Sequence, residues 1–257
     1  NELTVASELT VNRAGQTVRV AAPAVNSEVI YGPGGVSGRI ELTAKKITLP
    51  GFHAETGPLS MKIPLGKGEK GVLELDAITV RGYKLDALSY TIRNSGTALE
   101  LDGELKQDIL PALRCSNRTT VGWTPALNIT AELNIATGGD GSKSMALEKL
   151  TPSLKGMTLE GELAFRGTYR WSPMDHGGAC GIELRNGTLR SVPLRLQASG
   201  LNFKVDLPDL PLLETDPMQK LSCKELKVRG FVFNNIEAEF LLDNRRAFVL
   251  ESLGLDW

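Results

Sequence analysis

Alternation of apolar and polar residues with a period of two restricts this chain more than any other feature. In "MTLEGELAFRGTYRW", Met157, Leu159, Leu163, Phe165, Tyr169 and Trp171 share one parity with Gly161 and Gly167, while Thr, Glu, Ala and Arg fill the other. Successive side chains of a strand point to opposite faces, so this run reads as a long strand, the longest of the chain, with one apolar and one wet face. "LNITAELNI" (Leu127, Ile129, Ala131, Leu133, Ile135), "TALELDGEL" (Leu99, Leu101, Leu105) and "GRIELTA" (Ile40, Leu42, Ala44) repeat the pattern.

Turn chemistry falls between these runs: "GPGG" at 32–35, "GKGEKG" at 66–71, "NSG" at 94–96, "GGDG" at 138–141 and "NG" at 186–187, the last read as a tight hairpin. Short turns between alternating strands predict an antiparallel meander. Helix is expected only as one or two short pieces near 104–114 and 216–222, with Pro111 limiting the first. At 257 residues the chain could be two ordinary domains or one large all-β structure, and it is read as a single elongated β-structure with a candidate boundary in the loop-rich stretch 138–152.

Composition narrows the function classes. Lys+Arg 29 against Asp+Glu 30, with no basic cluster, argues against nucleic acid as a partner. Aromatic residues at 5% leave few stacking platforms for bases or sugars. No apolar run reaches the roughly 20 residues of a membrane-spanning helix, and the start at Asn1 without Met suggests a processed or trimmed soluble portion. Cys115, Cys180 and Cys223 lack metal-ligand spacing, so no metal or cofactor is expected, and a Cys115–Cys180 bridge stays open.

One phrase is written more than once. Aligned on glycine, Ile78, Val80, Gly82, Tyr83, Leu85, Leu88 and Ile92 match Leu226, Val228, Gly230, Phe231, Phe233, Ile236 and Phe240. A partial copy gives Ile47, Leu49, Gly51 and Phe52, then departs by a small insertion. In each copy the alternation runs to the glycine and resumes with shifted parity, the mark of a turn or bulge. The aromatic after the glycine is expected to pack over the sheet's open end or edge.

The segment 186–257 carries a further likeness. It contains "DLPDLPLL", then Pro217-Met218-Gln219-Lys220-Leu221, "KELKVRG", the strand pair "IEAEFLL" and "AFVLESLGLDW", and ends in Trp257. In these features it resembles the C-terminal part of the YdbH branch of the AsmA-like envelope proteins. The resemblance implies an elongated, curled antiparallel β-groove, with a closed β-sandwich as the alternative. It implies a non-enzymatic element that shields phospholipid acyl chains between the inner and outer bacterial membranes. It also implies a place in the periplasm or cell envelope, with other membrane or envelope proteins as partners and an anchor outside this sequence. The alternative function is an extracytoplasmic structural, adhesion or ligand-binding module. On this reading Val80, Tyr90, Ile92, Leu159, Leu163, Phe165, Val228, Phe233 and Phe240 line one apolar surface where acyl chains lie.

Motifs for catalysis are weak. "DHGGACG" brings Asp175, His176 and Cys180 close in sequence, but within a stretch read as a Gly-rich loop. His53 stands alone. "TGGDGSKS" has Ser142 where a phosphate loop needs glycine, and Glu160 with Glu162 reads as a solvated strand face rather than a glycosidase pair. No catalytic residue is assigned.

Overall fold

The computed structural model describes residues 2–4, 8–13, 16–33, 35–80, 82–85, 87–105, 110–138, 144–210, 214–216, 218–243 and 248–256. Two compact units emerge, residues 1–108 with 116–130, and residues 109–115 with 131–257. The division thus falls before the stretch 138–152. The fold is all-β, its large sheets antiparallel and not closed into a barrel.

In the first unit the strands are β1 (Glu2–Thr4), β2 (Glu8–Arg13), β3 (Gln16–Ala21), β4 (Ala24–Gly32), β5 (Gly35–Ala44), β6 (Lys46–Leu49), β7 (Ala54–Thr56), β8 (Leu59–Pro64), β9 (Lys70–Leu75), β10 (Ile78–Val80), β11 (Tyr83–Leu85), β12 (Leu88–Asn94) and β13 (Ala98–Leu105). Strands β14 (Leu113–Gly122) and β15 (Asn128–Thr137) run through the division. The second unit continues with β16 (Ser144–Ala146), β17 (Met157–Trp171), β18 (His176–Ser191), β19 (Leu196–Leu207), β20 (Gln219–Val228), β21 (Phe231–Leu242) and β22 (Phe248–Asp256).

The first unit has a main sheet ordered β1-β4-β5-β8-β9-β12-β13 and a six-stranded sheet ordered β11-β10-β7-β6-β3-β2. The chain passes between them at one level, at Ala22-Pro23, Lys45, Gly57-Pro58 and Asp76-Ala77. Hydrogen bonds tie these corners: Lys45 N–H to Ala21 O at 3.0 Å, Gly57 N–H to Ala77 O at 2.8 Å, and Asp76 N–H to Pro58 O at 3.2 Å. The second unit is a meander ordered β17-β18-β19-β20-β21-β22, with β16 also on β17.

Several local readings change. Among the described residues there is no α-helix, only 3-10 turns at Pro50–Phe52, Leu147–Lys149 and Pro152–Leu154. Around 104–114 the chain is extended to Leu105 and again from Leu113, with 106–109 outside the described residues. The segment expected as helix at 216–222 becomes strand from Gln219, and Pro217 lies outside the described residues. The longest strand is β18, at 16 residues against 15 for β17. Both "DHGGACG" from His176 onward and "NG" at 186–187 lie inside β18, so neither is a loop or a hairpin. Asn186-Gly187 is a bulge: Glu160 pairs Thr188 and Glu162 pairs Arg185, which sets two residues of β18 against Gly161. Alternation alone does not separate a two-residue bulge from a two-residue turn, because both take glycine and positive φ.

Candidate functional site

Register in the second unit assembles the site row by row. Leu163 pairs Leu184, Leu184 pairs Phe203, Phe203 pairs Leu221, and Leu221 pairs Ala238. Leu159, Leu189, Ala198, Leu226 and Phe233 form a second row in the same way. Paired residues project to one face, so both rows belong to one apolar surface. Phe165 adjoins Ile182, and at the far end Phe240 stacks on Phe248 with ring centroids 4.9 Å apart.

Along β18, β19, β20 and β21 the two rows are five residues apart, an odd spacing that would put them on opposite faces of regular strands. A line of irregularities restores the face. Gly161 has φ +138°, Asn186 +51°, Gly200 +61° and Asn235 +48°. The line crosses β20 at Lys224, whose Cβ lies 2.7 Å from where a Cβ on Gly200 would stand. Bulges bend a strand and raise its twist, so an aligned row of them creases the sheet. Asn202 fastens the crease: its Oδ1 accepts from Asn186 N–H at 2.8 Å and its Nδ2 donates to Gly200 O at 3.0 Å.

The repeated phrase closes a hairpin in both good copies. Val80 stands opposite Tyr83 and Val228 opposite Phe231, and in the second copy Arg229-Gly230 forms a two-residue hairpin turn; Arg81 lies outside the described residues. The partial copy replaces the turn by the 3-10 segment Pro50–Phe52 and pairs Leu49 with Ala54. Its insertion is the longer turn. Phe231 is 63% exposed and does not pack over an edge; the side chains of Phe52 and Tyr83 lie outside the described residues.

Of the nine residues expected on one surface, Leu159, Leu163, Phe165, Val228, Phe233 and Phe240 share the apolar face of the second unit. Tyr90 and Ile92 lie on β12 in the first unit, where Tyr90 pairs Leu73 and its ring lies over Gly103. Ile92 is 1% exposed, closely packed rather than open. Val80 belongs to the six-stranded sheet and separates from Tyr90 and Ile92. Leu184, Phe203 and Ala198 were not singled out from sequence, and Leu221, Cys223 and Ile236 were noted there only for other features; the odd spacing between the rows is the signal that marks them as members of this face.

The face is unevenly covered. Leu184 is fully buried, and Met145 with Leu110 and Ala112 packs against Leu159 and Leu163 at one side. Leu159, Leu163, Phe165, Phe203, Leu221, Leu226, Val228 and Phe233 stay half-buried. Every residue of β22 is exposed, with Leu250 opposite Phe240 and Leu253 opposite Ala238. Buried Gln219 is satisfied, its Oε1 accepting from Asp206 N–H at 2.9 Å and its Nε2 donating to Asp216 O at 2.9 Å. That clamp explains the glutamine of the "PMQKL" step.

The opposite face is charged and wet. Arg185–Glu183 at 2.7 Å, Lys204–Asp206 at 2.6 Å, Lys220–Glu239 at 3.7 Å and Lys227–Glu225 at 2.8 Å are exposed pairs. Such pairs add little stability and mainly keep this face in water.

The acid, base and thiol noted in sequence do not meet. His176 and Cys180 stand four residues apart along β18, about 13 Å in an extended strand, beyond hydrogen-bond reach. All three cysteines are free thiols, and burial pushes each above its ordinary range. Among the described residues no cluster of His, Cys, Asp and Glu could hold a metal ion, and no helix is long and apolar enough to cross a membrane. No family model matches the chain, and no curated protein or solved structure is significantly similar to it.

Proposed function

We propose that this chain is a non-enzymatic lipid-binding element of a bacterial envelope protein, in which the creased apolar face of β17–β22 shields phospholipid acyl chains in transit between membranes. One observation carries the reading. Two apolar rows cross five adjacent strands, yet most of their members remain half-open to solvent. Within this unit, among the described residues, no second sheet covers them.

An uncovered row of Leu and Phe is unfavourable in water, and an acyl chain laid along it removes apolar area at about 25 cal/mol per Å². A groove of this kind asks for no orienting polar constellation, because acyl chains carry no hydrogen-bonding groups. The headgroup would stay at the open edge near β22. The likeness of 186–257 to the YdbH branch supports the same reading and supplies the envelope location, the membrane partners and the phospholipid cargo.

Native mass spectrometry of the gently purified chain tests it. Co-purified phospholipid is the expected result. A lipid-free chain that also fails to take up phospholipid from vesicles would favour the alternative, an extracytoplasmic structural, adhesion or ligand-binding module.

A further inference from the structure

The turn ends of the second unit's hairpins are tied into one rim. Val192 N–H donates to Gly156 O at 3.2 Å, and Arg229 N–H donates to Arg195 O at 3.0 Å. The turns 147–156, 192–195 and 229–230 therefore stand side by side. Beside exposed Pro152, Ser153 and Pro193, large apolar side chains and cations stand out on these turns. Leu150, Val192, Leu194 and Phe231 are 43%, 81%, 48% and 63% exposed, and exposed Lys155, Arg195 and Arg229 stand among them. The one acid in these turns, Glu148, uses its Oε2 to accept from Gly156 N–H at 3.1 Å.

The arginines occupy costly positions. Arg195 has φ +49° and Arg229 +50°, left-handed conformations that Asn or Gly adopt more readily. A two-residue hairpin favours Asn-Gly, and this chain places Arg-Gly there. The backbone does not account for these side chains.

We propose that this rim docks on the surface of an anionic lipid bilayer, with Val192, Leu194 and Phe231 entering the headgroup boundary and Lys155, Arg195 and Arg229 meeting lipid phosphates. Protein interfaces gather their apolar residues into a central patch with a polar rim. Here single apolar side chains alternate with cations, which matches a boundary where acyl chains and phosphates lie within a few ångströms of each other. Docking goes beyond the groove reading and does not require the apolar face to carry lipid.

The test is flotation of the lipid-stripped full chain with phosphatidylcholine vesicles, with and without phosphatidylglycerol, at low and high salt. Binding should need phosphatidylglycerol and weaken with salt. Arg195→Asn with Arg229→Asn should lower the affinity roughly thirtyfold, about fivefold per charge, while the melting temperature holds or rises because Asn suits the left-handed turns. Val192→Ser with Phe231→Ser should weaken binding at either salt level. The proposal fails if the native chain does not float, floats equally on pure phosphatidylcholine, or keeps its affinity in the double Asn variant. Stripping lipid from the chain keeps these outcomes separate from any result on groove cargo.

Discussion

Cys223 lies directly opposite Ile236, one position from the crease, and its thiol donates to Ser199 O at 3.5 Å and Glu225 O at 3.2 Å. Leu75 and Leu88 are paired in the same relation below the β10–β11 hairpin, as are Ala44 and Leu59 below β6–β7. From Ala44 to Ile47, Leu75 to Ile78 and Cys223 to Leu226 the step is three residues each time. The repeated phrase thus encodes a strand, a bend, a hairpin and the return across the bend.

If the aligned bulges hold the crease, a side chain at Gly200 is intolerable. A Cβ there would lie 2.7 Å from Lys224 Cβ with φ at +61°. Gly200→Val should cost about 2–4 kcal/mol, combining left-handed strain with overpacking. Gly254→Ala, where nothing lies within 4 Å, should shift stability by less than about 1 kcal/mol. Urea unfolding checks both.

Leu184 is the most enclosed side chain of the apolar rows, fully buried between Leu163 and Phe203. Leu184→Ala should destabilise by about 3 kcal/mol. Leu250→Ala, at a residue 50% exposed on β22, should cost less than about 1 kcal/mol. Equal losses at the two positions would mean that β22 is covered in solution.

Phospholipid capture separates an open face from a packed one. Leu163→Lys and Phe203→Lys introduce a charge at half-buried positions, where a long side chain can lead its ammonium to water. Captured phospholipid should fall at least about tenfold, with cooperative unfolding retained. Thr168→Lys, at an exposed site on the wet face, should leave capture unchanged. Unfolding of both apolar-face variants would mark a sealed core instead.

The thiols give a pH dependence with a defined sign. Desolvation raises Cys115, Cys180 and Cys223 above the ordinary value of about 8.5, so the folded chain favours the neutral form. Stability from these thiols is complete below that ordinary value, because neither state is then ionised. As pH climbs through the raised values the unfolded chain ionises first, and the contribution is lost. Alkylation of the native chain at pH 8 should be slow and should reach half-buried Cys180 before Cys115 and Cys223. Rapid alkylation of Cys223 would show that the crease opens.

Much of this architecture was legible in the residues themselves. The parity of Leu159, Leu163 and Phe165 gave the apolar side of β17, and the glycines at 82 and 230 marked turns, because strand period and left-handed turns are properties of a few adjacent residues. What neighbouring strands decide was not legible. "NGTLRS" reads as a turn and a new strand, yet Asn186-Gly187 is a bulge that keeps β18 whole, and only the register against Gly161 and Gly200 distinguishes the two.

The sequence by itself determined an all-β chain, its alternating faces, several of its turns and the recurrence of one hairpin phrase, since each follows from local backbone preference and side-chain period; the turn expected at 186–187 is a bulge, and 139–143 lie outside the described residues. Tertiary structure alone decided that irregularities at 161, 186–187, 200 and 235 fall on one line, that Val80 leaves the sheet holding Tyr90, and that the rows from Leu163 to Ala238 stay half-open. The reason is physical: alignment and coverage are relations between segments far apart in the chain, and hydrogen-bond register rather than residue identity sets them.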